Sequence, residues 1–68
     1  MGSVTKPEFY STESGVGVSV YAYEPTDLYI AVYSGEKLES VNVAYGTGWL
    51  DTSVTVTDIE NKQLVAFI

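Results

Sequence analysis

The chain contains no cysteine and no histidine, and these two absences remove a large part of protein chemistry. Without cysteine no disulfide can staple a small fold, and without either residue the usual ligands of zinc are gone. The same gaps take away the imidazole that would activate a serine and the thiol that would itself attack a substrate. Arginine is absent too, and the basic residues are three lysines against nine acids, for a formal charge of −6. Without arginine there are no bidentate contacts to phosphate or guanine, so direct nucleic-acid binding is not expected. No run of about 18 apolar residues is present, which predicts no membrane span. Residues 1–10 carry one lysine and no apolar core, so they do not read as a signal peptide. Virion, cell surface and cytoplasm all stay open as locations.

Length bounds the rest. A chain of 68 residues holds one domain, and such a domain buries only about 60% of the surface its unfolded chain exposes. With disulfides and zinc removed, efficient packing or association with other chains must supply the missing stability. Hydrophobic residues make up 46% of the chain, too many for a disordered acidic segment.

Residues 1–15 are rich in Ser, Thr, Glu and Gly and read as a polar N-terminal arm, with Phe9 and Tyr10 as candidate anchors and a frayed terminus as the alternative. Residues 16–68 read as a single β domain. Val, Tyr, Thr and Ile recur there, residue types that suit a pleated, half-buried surface. Five runs stand out, at 16–23, 28–33, 38–45, 52–57 and 64–68, separated by turn-forming segments. Their spacing predicts an all-β fold, a small antiparallel sandwich or barrel of about five strands.

The first two runs can be read further. Pro25 cannot take the positive φ of a two-residue hairpin turn, so a longer hairpin loop at 25–27 is expected, with Glu24 opposite Leu28. That register puts Val16, Val18, Val20, Ala22, Leu28, Ile30 and Val32 on one face. Ser19, Tyr21, Tyr23, Tyr29, Ala31 and Tyr33 fall on the other, because side chains alternate strictly along a strand. The aliphatic set is the expected core and the tyrosine set a second face. In the third run Val41, Val43 and Tyr45 share a side opposite Ser40, Asn42 and Ala44. In the fourth, Val54 and Val56 point to the core and Ser53, Thr55 and Thr57 to water. Residues 64–68 are apolar on both faces, as expected of a strand that is covered on both sides, paired centrally or inserted into another subunit.

Tyrosines carry a large apolar area with a polar tip and are enriched at interfaces. Tyr21, Tyr23, Tyr29 and Tyr33 are therefore candidate partner contacts, although cross-strand packing would use them equally well. Val65, Phe67 and Ile68 are candidate contacts as an edge or intersubunit strand. Trp49 follows the turn Gly46-Thr47-Gly48 and is either a core plug or an exposed anchor; a buried plug is expected, because Trp is highly buried on average. Asp58, Glu60 and Asn61 in one turn, and Glu24 and Asp27 in another, are the only oxygen clusters that could attract calcium. Asp and Asn are also ordinary turn formers. No cofactor and no catalytic residue is expected.

Two segments carry a resemblance. Residues 28–41 consist of an apolar strand, the turn Ser34-Gly35-Glu36-Lys37 and a restart at Leu38. Residues 54–67 carry a Val-Thr-Asp hairpin. Together they resemble Ig-like β-sandwich modules of bacterial surface and phage structural proteins. The resemblance implies adhesion, spacing or particle decoration, and no catalytic residues. A usual Ig domain has ~100 residues, so the resemblance also implies completion by a neighbouring subunit.

These features predict a non-enzymatic structural or protein-interaction module, of cell-surface or virion accessory type. It would be homo-oligomeric or bound to a protein partner through the tyrosine face and strand edges. The alternative is a small acidic phage-type inhibitor that blocks a nucleic-acid-handling enzyme by charge mimicry. A calcium-dependent carbohydrate-binding module is a third reading.

Overall fold

The computed structural model describes residues 4–68, and it is all-β: strands β1 (Glu8–Ser11), β2 (Gly15–Ser34), β3 (Lys37–Thr55) and β4 (Gln63–Phe67), with a short 3₁₀ turn at Ile59–Asn61 before β4. All four belong to one antiparallel sheet. β2 is central, with β3 along one edge and both β1 and β4 on the other. β1 pairs with the first half of β2, from Ser11↔Val16 to Glu8↔Ser19, and β4 with the second half, from Phe67↔Tyr29 to Gln63↔Tyr33. The order does not return on itself, so pairing does not close the sheet into a ring.

The five expected runs are distributed differently. Runs one and two are a single 20-residue strand, β2, and most of runs three and four lie in the 19-residue β3. The segment read as an arm contributes β1, and residues 1–3 of it lie outside the described residues. At about 3.3 Å per residue a straight strand of this length would reach about 66 Å, nearly twice the 34 Å longest extent of the molecule. β2 therefore has to bend.

It bends at Pro25. Pairing with β3 is lost between Ala22↔Gly48 and Thr26↔Gly46, so three residues of β2 oppose one of β3. A proline has no N–H to give a ladder, and an unpaired bulge is where a sheet tolerates it. On β3 the corner falls at Gly46 and Gly48, with φ of 153° and 86°, conformations that side chains rarely adopt. Thr26 is buried at the corner, its hydroxyl donating to the Glu24 carbonyl at 2.8 Å. Pro25 thus marks a corner within one strand, not the hairpin loop its chemistry suggested.

Folding at the corner brings the two halves of the sheet together, inner face to inner face. Val16, Val18, Val20, Ala22, Leu28, Ile30 and Val32 form one buried cluster with Leu50 and Val54. Val4, Ala44, Val56, Leu64 and Ala66 pack around it. The expected core set of β2 is thus buried in full. A continuous strand and a hairpin with Glu24 opposite Leu28 both preserve even–odd parity, so the two topologies bury the same side chains.

Candidate interaction surface

The bend that joins the inner faces turns the outer faces away from each other, and it divides the tyrosine set. Tyr21 and Tyr23 stand on the first half of the sheet, Tyr29 and Tyr33 on the second. Tyr23 is exposed, and the other three are half-buried.

On the second half, register places the outer residues of β3, β2 and β4 in rows: Val43–Tyr29–Phe67, Val41–Ala31–Val65 and Leu38–Tyr33–Gln63. Tyr29 and Phe67 stack at 4.9 Å with planes 7° apart. Ala31 is buried beneath its larger neighbours although it lies outside the core cluster. Leu38, Val41, Val43, Val65 and Phe67 remain 42–54% exposed, and Ile68 at the end of β4 is exposed as well. None of the nine row residues carries a charge, and Gln63 is the only one with a side-chain amide.

β3 shows how unusual this is. Between Leu38 and Tyr45 its valines point outward, whereas Ser40 and Asn42 occupy positions opposite Val32 and Ile30, on the side of the core. Asn42 is held there by donating from Nδ2 to the Ser53 carbonyl, which ties the two halves of β3 across the fold. Both sides of this stretch are exposed, and its apolar side is the outer one. Lys62, just before β4, pairs with Glu39 of β3 at 2.7 Å across β2.

The first half carries a different surface. Trp49 stands opposite Tyr21 and is 75% exposed, not the buried plug expected of it. The signal for this was present: continuing the inward parity of Val54 back through Thr52 and Leu50 leaves Trp49 outside. Reading Gly46-Thr47-Gly48 as a chain reversal interrupted that count. Tyr21 meets Trp49 edge-on at 5.3 Å and Tyr23 at 5.2 Å.

β1 holds this half together at its edge. The Tyr10 ring lies over Gly17, where an added Cβ would fall 2.3 Å from it, and its hydroxyl donates to the Asp51 carboxylate on β3. This hydrogen bond holds the phenol above its ordinary value of 10.0, with partial burial and the charge of Asp51 adding in the same direction. Because the folded-state value is raised, the contribution is complete below about pH 10 and disappears as pH rises through the folded value. The stability advantage of the wild type over Tyr10→Phe is therefore expected to vanish on the alkaline side. Paired melting curves taken across that range would show it, and a constant advantage would exclude the mechanism.

The calcium candidates do not converge. Asn61 donates to Asp58 within its own turn at 2.9 Å, and no group of three or more acidic side chains placed to hold a metal occurs among the described residues. Nor is any described helix long and apolar enough to cross a membrane. Compared with protein-family models, curated proteins and solved structures, the chain finds no match.

Proposed function

We propose that this chain is a non-enzymatic protein-interaction module whose contact surface is the three uncharged rows on the outer face of β3, β2 and β4, and that its first partner is a second copy of itself. The observation that carries this reading is the orientation of β3, which turns Val41 and Val43 outward and Ser40 and Asn42 toward the core side. A sheet face this apolar is ordinarily covered, and contiguous exposed apolar patches mark interaction sites. Two copies related by a two-fold axis would present the same patch to each other, as most homodimers do. Of the residues singled out from sequence, Tyr29, Tyr33, Val65 and Phe67 belong to this surface, whereas Ile68 follows β4 on the alternation of Leu64 and Ala66. Tyr21 and Tyr23 belong to the other half. The absence of histidine and cysteine from the chain, together with nine exposed carboxylates, supports a role without catalysis. The resemblance to Ig-like modules points to a cell-surface or virion accessory setting.

The test is solution mass by light scattering after size exclusion, at low and high salt. A dimer that persists at high salt is expected, since an apolar interface is not screened. Val43→Glu should weaken it by roughly a hundredfold, because it places an unpaired carboxylate on the apolar face that the contact would desolvate. The monomer fold should be unchanged, given that Val43 is already 54% exposed. A wild type that stays monomeric at every concentration and salt would defeat the reading and bring the acidic-inhibitor alternative forward.

A further inference from the structure

Trp49 and the cleft beside it are not used by the proposed dimer face, and their chemistry is different. The cleft encloses about 310 Å³ and is lined by Thr5, Lys6, Glu8, Ser19 and Trp49, near the lower end of the roughly 300–1,000 Å³ of small-molecule sites. From these residues we infer a binding site for a neutral oligosaccharide of pyranose rings, with Trp49 as the stacking platform.

The ring of Trp49 is exposed but its setting is ordered. Tyr21 packs against it edge-on with planes 76° apart, and Tyr23 packs against Tyr21 in the same manner at 69°. Tyr21 is itself pinned through its backbone, its N–H donating to Thr5 Oγ1 at 2.9 Å and its carbonyl accepting from the Thr5 N–H at 3.0 Å. A flat aromatic face carries negative potential and attracts weakly positive C–H groups. One face of a gluco- or galacto-configured pyranose offers such axial C–H groups, while its hydroxyls project around the rim. The other cleft residues suit that rim. The Thr5 and Ser19 hydroxyls both donate and accept, Lys6 donates and Glu8 accepts.

Charge narrows the choice further. The net −6 of the chain opposes nucleotides and acidic glycans, although either could stack on tryptophan. Lys6 and Glu8 give the cleft one charge of each sign and so no net pull on a cationic ligand, and Trp49 is the one aromatic side chain lining it, so there is no cage for a quaternary amine. A protein contact would suit an apolar surround like that of the other half better than this polar one.

The single tryptophan makes the test direct, because its red-edge fluorescence reports only on this site. Titration with cellotetraose, lactose and chitotetraose is expected to give a saturable emission change with at least one of them, unaffected by EDTA. Trp49→Ala, followed by calorimetry with the sugar that bound, should lose at least about tenfold in affinity. Its circular dichroism should match the wild type because the side chain lies outside the core. Ser19→Ala should lose less. Three results would overturn the inference: no saturable change with any of the three sugars, unchanged binding by Trp49→Ala, or emission that responds to protein concentration alone. The last would make the aromatic patch a protein contact.

Discussion

Gly15→Ala is expected to lose about 3 kcal/mol or more, comparable with the whole stability of a domain this small. A Cβ at Gly15 would fall 1.9 Å from the Val54 carbonyl oxygen and 2.8 Å from the Val56 nitrogen. Both are backbone atoms of the neighbouring chain segment, so no side chain can swing aside to make room. The two segments would have to part where the Val56 N–H donates to the Ser14 carbonyl at 2.9 Å. The next pair inward, Val16↔Val54, belongs to the core. Gly17→Ala is the natural comparison. Its obstacle is the movable ring of Tyr10, so it should cost about 1 kcal/mol, mainly through loss of the Tyr10–Asp51 hydrogen bond. Urea unfolding of the two variants side by side would decide the matter, and equal losses would show that the sheet end yields more easily than its backbone contacts imply.

Leu28→Ala is expected to leave a large fraction of the chain unfolded at room temperature. Leu28 is fully buried where the two halves of the sheet meet after the corner, and truncating such a leucine costs about 2–5 kcal/mol. Against that stands a total of about 3–10 kcal/mol for a domain of this length. Leu38→Ala removes the same atoms from the outer face, where the side chain is 49% exposed, and should change monomer stability by less than about 0.5 kcal/mol. It should nonetheless weaken self-association. Thermal melts and light scattering on both variants would separate the residues that build the fold from those that serve its surface. Similar melting losses for the two leucines would mean that the outer face is part of the folding core.

Alternation was the part of this structure legible from sequence. Val16, Val18, Val20, Ala22, Leu28, Ile30 and Val32 could be assigned to one face because the two-residue side-chain period is a local property of any extended chain. The same reasoning placed Val41, Val43 and Tyr45 together, and Val54 and Val56 with the core. It also supported the all-β class, since no segment offered a competing helical period. What it could not supply was direction. Whether the chain reverses or bends at Pro25 leaves every parity unchanged, so the merging of five runs into two long strands and β4 was invisible. So was the recruitment of residues 8–11 as β1, which depends on a free edge of β2. The division of the tyrosines between two surfaces follows from the corner, and the corner depends on packing between residues far apart in the chain. The outward placement of the β3 valines likewise required knowing which side of that strand meets β2's buried face. Local chemistry determined which side chains travel together, and long-range pairing alone decided which of those groups would face the core and which the surroundings.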